Sequence, residues 1–371
     1  DITGTADIAA LVGVVAALYA AMQFVFAPVL GALSDRVGRR PVLLVSLAGA
    51  VASYLFLAVA PTLWMLLIGR AVAGMTSASV SVASAYVTDI TPPEKRARRF
   101  GLLNAMFGLG FIVGPVLGGL LGDHWLRLPF VVAALLNGGN FLIALLVLPE
   151  SRTPEGGRID LAALNPLRPF RWAVTLDGLR PIITVVFLLS ATGEAYGVCW
   201  ALWGGDVFGW DGLRIGLSLA TFGLCQALVQ ALLPGPAARL LGETGAILLG
   251  IAGVSAALVV MAFTTEGWLV FAVVPVFALG GIGVPALQSL ATRRVDDSLQ
   301  GRFQGVVAST VSLASIVAPL GFSSLYVLAR QAWPGAIWLS VVALYAIAVP
   351  FVLGLRTRKT APAAGPSSPS P

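Results

Sequence analysis

Charge is scarce in this chain. Asp, Glu, Lys and Arg make up 11% of its 371 residues, against about 25% in an average soluble domain, and 58% are hydrophobic. A water-exposed globule cannot be built from that mixture. Cysteine is nearly absent: Cys199 and Cys225 both fall inside apolar runs, which excludes a disulfide framework or a metal site and leaves passive packing. The single histidine, His124, falls in a loop and is read as solvated. HExxH, GxSxG and paired carboxylates within apolar runs are all missing, so an intramembrane enzyme has no support. No stretch has the build of a cleavable signal peptide, and the chain opens on Asp1 rather than Met.

What replaces charge is a series of apolar runs of about 20 residues, each able to cross a hydrocarbon core about 30 Å thick. Backbone polar groups find no water in that layer, so the spans must be helices or a closed barrel. Runs this long with little alternation exclude the barrel. The expected fold class is an all-α membrane protein. Spans are expected at 8–33, 42–60, 62–88, 100–121, 129–148, 181–203, 212–233, 244–265, 267–291, 303–328 and 335–355.

The net charge of +6 is a topology signal rather than a nucleic-acid footprint. Of the 23 Lys and Arg, 19 fall in alternate connections (34–41, 89–99, 149–180, 234–243, 292–302) and the tail, the pattern of loops kept in the cytoplasm. The C-terminus is therefore expected inside and Asp1 outside. An internal repeat runs through the chain: at an offset of 204 residues, Gly31, Gly38, Leu44 and Gly49 fall on Gly235, Gly242, Leu248 and Gly253, and Ile112–Pro115 on Ile316–Pro319. The same shift carries 181–203 to a place before residue 1, so the first of twelve helices is expected to be missing. The expected units are 1–148, a bundle of five of six helices; 149–180, a cytoplasmic linker; 181–355, a six-helix bundle; and 356–371, a disordered cytoplasmic tail.

Several residues carry candidate chemistry. In GALSDRVGRRPV, Asp35 sits at a helix end where it can pair with Arg36, Arg39, Arg40 or a neighbouring loop, a contact able to lock and release; the plain alternative is a positive-inside turn. In GLGFIVGPVLGG, Gly110, Gly114 and Gly118 form a helix face without side chains for close helix packing, and Pro115 weakens the backbone ladder. Arg70 lies within its span, roughly 12 Å from the outer end, where a guanidinium costs about 2.5–3.5 kcal/mol and needs a partner, a wet cavity or a snorkelling route. Glu194 is near mid-membrane, where taking on a proton removes a buried charge; it suits a proton carrier, or a neutral acid bonded to a neighbour. Gln23, Gln226 and Gln230 near mid-span can hydrogen-bond a polar substrate or join helices, and Asn137 and Asn140 share one face of their span. Trp200 and Trp203 are expected in an interfacial belt.

Together these residues resemble the major facilitator superfamily. GALSDRVGRRPV is similar to its loop signature, GRAVAG to its fourth-helix arginine motif, and GPVLGG to the fifth-helix motif of drug:proton antiporters. The longer stretches LYAAMQFVFAPVLGALSDRVGRRPVLLVSLAGA, IGRAVAGMTSASVSVASAYVTDITPPEKRARRFG and GGIGVPALQ look like the tetracycline:proton antiporters. The resemblance implies two pseudo-symmetric bundles, eleven of twelve transmembrane helices present, with a site between them near the midplane. It implies export of a drug, foremost tetracycline as a divalent-metal chelate, in exchange for protons by alternating access across the bacterial cytoplasmic membrane. No enzyme activity and no cofactor beyond the coupling protons are implied. Gln23 and Arg70 would line the membrane path, and Asp35, Asp89 and Arg96 would act in cytoplasmic gating. Four positions depart from the pattern: Ser53, Val254 and Val270 stand where aspartates are expected, and Glu194 where glutamine is. They keep open an exporter of another drug or metabolite; the missing helix keeps open a membrane protein that does not transport. The expected partners are a small-molecule drug and the bilayer, with no oligomeric state assigned.

Overall fold

The computed structural model describes residues 8–77, 79–151, 165, 179–292 and 300–357. Most of the expected linker 149–180 and nearly all of the tail 356–371 lie outside the described residues. Within them every regular element is helical: α1 (Ile8–Val37), α2 (Arg39–Val59), α3 (Leu63–Thr76), α4 (Ser79–Asp89), α5 (Pro93–His124), α6 (Leu128–Val147), α7 (Leu179–Phe208), α8 (Gly212–Leu232), α9 (Pro234–Phe263), α10 (Gly267–Phe277), a 3-10 turn (Ala278–Ile282), α11 (Gly283–Thr292), α12 (Gln300–Ala329) and α13 (Ala336–Thr357). They form eleven helical stretches long and apolar enough to cross a bilayer, at the eleven places where apolar runs stand. Some overrun the apolar run, as when α5 begins at Pro93, whereas α9 joins a short leading helix to its span across a kink at Gly242. Helical hydrogen bonding continues past the hydrocarbon edge, and proline at the first turn has no amide to leave unsatisfied.

The two halves repeat each other. α2 packs against α3 and α6, and α9 against α10 and α13; α1 packs along α12, and α5 along α8. The last two contacts are the seams between the halves, and the offset of 204 converts one into the other. Gly38 (φ +100°) and Gly242 (φ +71°), 204 residues apart, both take positive-φ backbone just ahead of matching spans, the apolar runs 42–60 and 244–265. The span that follows is broken at matching places in both halves: α3 gives way to a turn at Ser77, and the 3-10 turn Ala278–Ile282 parts α10 from α11. Each interruption rests on a glycine of the helix before it, since a Cβ at Gly49 would collide with Thr76 and one at Gly253 with Leu279.

The symmetry has one gap. In the second half α7 lies against both α12 and α13, but no described helix occupies the matching flank of α5 and α6. That flank is apolar and open, with Phe107 at 55% and Leu136 at 65% exposure. The second half accordingly holds the larger core. Trp200 and Trp203 belong to that core, which corrects the interfacial belt expected for them: they are 2% and 0% exposed. They pack with Trp338 at 5.8 and 5.2 Å between ring centroids, and Trp200 Nε1 donates to Ser218 Oγ at 2.8 Å. An internal partner for the indole N–H frees tryptophan from the headgroup layer.

The face carrying the turn at 34–41 is called the basic face below, and the opposite one the far face.

Candidate functional site

Gln23 of α1, Arg70 of α3 and Glu194 of α7 line one cavity of about 650 Å³ between the halves, with Tyr19, Phe130 and Ser315. That volume falls in the range of about 300–1,000 Å³ typical of small-molecule sites. Ser315 Oγ of α12 donates to Glu194 Oε1 at 2.5 Å, a hydroxyl-to-carboxylate bond of the strong kind. Arg70 is half-buried, and its place on the cavity resolves the cost of a charge at that depth without exposing it to lipid. Beside it, buried Ser53 donates to the Gly69 carbonyl at 3.0 Å. Val254 and Val270, 2% and 0% exposed, lie inside the packed core of the second half rather than on the cavity. Ser315 escaped the sequence reading because nothing in one chain's spacing says which serine of a distant helix will meet a given acid.

The other polar residues singled out within the spans do not line this cavity. Gln226 packs on the 3-10 turn, where a Cβ at Gly281 would touch its amide at 2.8 Å, and Gln230 is exposed. Asn137 Nδ2 donates to Ala133 O of its own helix at 2.8 Å, and Asn140 is exposed on α6.

At the basic face the charges form a set built on Arg39. Its side chain is 7% exposed and reaches Asp35 Oδ1 at 2.7 Å and Asp89 Oδ2 at 3.1 Å, and donates to Ser34 Oγ at 2.6 Å. Asp35, Arg39 and Asp89 are thus brought together from α1, α2 and α4. Arg36 is exposed, Arg40 donates to the Leu145 carbonyl at 2.8 Å, and Arg96 donates to the Thr91 and Thr88 carbonyls that end α4. Glu150 was not foreseen. Its carboxylate accepts from the Arg39 and Arg40 amides at 2.8 and 3.1 Å, capping the start of α2 where unpaired amides and the helix dipole favour an anion. The signal was available in the adjacency of Glu150 to the end of a span, but its target lies 111 residues away.

The packing of α5 differs from the expected glycine face. A Cβ at Gly110, Gly114 or Gly118 would touch nothing, so these three face open space. Close approach is made on another strip, where Pro115 and Gly119 meet Gly216 and Gly212 of α8. Small residues run along two adjacent strips of α5, and the neighbouring helix chooses between them.

The comparisons agree with this architecture. A sequence profile described as Major Facilitator Superfamily matches residues 5–204. The tetracycline resistance protein, class C, of Escherichia coli is 47% identical over 350 residues, 94% of this chain and 88% of that protein. The class G protein of Vibrio anguillarum is 43% identical over 340 residues, 92% of this chain and 86% of that protein. A crystal structure of a mutant nucleoside transporter, NupG, superposes with a TM-score of 0.78 at 11% identity, covering 94% of this chain and 91% of that one, a likeness of fold alone. With two pseudo-symmetric helical halves around a cavity that carries Arg70 and Glu194, and this degree of identity over most of its length, the chain belongs to the Major Facilitator Superfamily, in the group of the tetracycline resistance proteins, and is a membrane transporter rather than an enzyme.

Proposed function

We propose that this protein exports a tetracycline-type drug, taken as its divalent-metal chelate, in exchange for protons by alternating access across the bacterial cytoplasmic membrane, with the basic face and the C-terminus in the cytoplasm. The observation that carries this reading is the meeting of Gln23, Arg70 and the Glu194–Ser315 pair on one cavity to which both halves contribute. A carboxyl group there can take a proton from one side and release it to the other as the cavity changes access. The interrupted spans at matching places in the halves support a site at their junction, since interrupted helices in corresponding positions mark the centre of repeat-built transporters. The names of the relatives supply the drug class.

Uptake of tetracycline with Mg²⁺ into inverted membrane vesicles from cells expressing the full-length gene tests the proposal. Acidifying the vesicle interior should drive uptake, and dissipating the proton gradient should end it. Uptake indifferent to the gradient would remove the antiport reading. The apolar packing at Val254 and Val270 favours a second outcome, export of a different drug, which a resistance profile of the same cells would reveal.

A further inference from the structure

We propose that Asp123 is a latch between the two halves at the far face, acting on transport as a positioning residue; this rests on the alternating-access reading above. α5 and α8 belong to opposite halves, and their seam is closed backbone against backbone: a Cβ at Gly119 would run into the Gly212 carbonyl, and one at Gly216 into the Pro115 carbonyl. Pro115, Gly119 and Asp123 are spaced four apart and so follow one strip of α5. Asp123 ends that strip. Its Oδ1 accepts from the Gly212 amide at 3.0 Å and its Oδ2 from the Leu213 amide at 2.9 Å.

Those amides belong to the first two residues of α8, which have no acceptor within the helix and sit at the positive end of its dipole. α8 already has a cap of its own, since Asp211 accepts from the Arg214 amide at 2.8 Å. The second carboxylate comes from the other half, and glycine at 212 is what admits it, because a Cβ there would press on Asp123 Oδ1 at 2.6 Å. The contrast with Glu150 is instructive. Glu150 caps α2 from within its own half, so that contact travels with the body it belongs to. The Asp123 contact spans two bodies and has to break when their far-face ends part.

Loss of a carboxylate cap changes an equilibrium by about 5- to 10-fold, and here the equilibrium is that between a closed and an open far face. The test uses the full-length protein in lipid nanodiscs with Cys199 and Cys225 replaced. Spin labels at His124→Cys and Arg214→Cys, whose side chains are exposed and take no part in the latch, report the α5–α8 separation. A second pair, Val37→Cys with Gln304→Cys, reports the basic face. Asp123→Ala should raise the ratio of long to short far-face distances by about 5- to 10-fold, and Asp123→Asn, which keeps one acceptor oxygen without the charge, by less. An unchanged ratio in Asp123→Ala, or a far-face distance that stays fixed with drug and pH, overturns the latch. If the basic-face pair still responds to drug and pH, alternating access survives that failure; if neither pair responds, both readings fall.

Discussion

Glu194 accepts from Ser315 across two helices of the second half, on a cavity that also receives Arg70 and Gln23 from the first. Glutamine at 194 would keep an acceptor for Ser315 and lose only the ability to ionise. Glu194→Gln is therefore expected to leave the protein folded and to flatten the pH dependence of drug export, read in vesicles clamped at a series of pH values. An unchanged profile would make Glu194 structural. Arg39 and Arg36 separate just as clearly. Arg39 is buried and holds two partly exposed carboxylates and a hydroxyl, and losing charge-assisted hydrogen bonds of this kind costs about 1.5–3 kcal/mol; Arg36 is exposed, where substitutions stay within about 0.5 kcal/mol. Arg39→Ala should lower the midpoint of thermal unfolding in detergent by several degrees, and Arg36→Ala should not move it. The sequence presented the three arginines of this turn as equivalents. Which of them would be buried depended on where α4 carries Asp89, and no local pattern holds that information.

Among elements, the turn into α2 and the kink within α9 share a backbone shape but not their surroundings. Gly38 (ψ 156°) and Gly242 (ψ 169°) both have positive φ in a region almost confined to glycine, and any side chain there carries a conformational cost of about 1–3 kcal/mol. At Gly38 an added Cβ would also drive into the Glu150 carboxylate that caps α2, whereas Gly242 has open space around it. Gly38→Ala should thus destabilise more than Gly242→Ala, measurable as the larger fall in unfolding midpoint. Equal falls would show that the cap contributes little. The helices themselves were legible in the sequence, because a run of about 20 apolar residues has few other fates in a bilayer. The breaks at Ser77 and Ala278–Ile282 were not read, since hydropathy continues across them and only local backbone geometry marks them. The glycine strip of α5 was visible as a pattern, but the side it presents to α8 was not: Gly119 and Pro115 make the approach, and Gly110, Gly114 and Gly118 do not.

For the whole molecule, the placing of 19 of 23 basic residues in alternate connections predicts the sidedness directly. A cysteine at Val37 should react with a membrane-impermeant reagent only from the cytoplasmic side, and one at His124 only from outside. The reverse result would invert the proposed direction of transport. The two-fold repeat was also in the sequence, as the offset of 204 residues, and it returns in the structure as two matching seams, two positive-φ glycines and two interrupted spans. The sequence by itself determined the solvent, the number of spans, their likeness between halves and the kind of residue placed at mid-depth, because each follows from hydropathy, charge and spacing along one chain. Only the tertiary structure decided which of those residues share a cavity, which arginine is buried, and that Asp123 of one half meets a helix start in the other. Such contacts join positions distant in sequence, 50 residues apart for Arg39 and Asp89 and 121 for Glu194 and Ser315, and their partners are chosen by how helices pack, a choice made by shape across the whole bundle rather than by any local run of sequence.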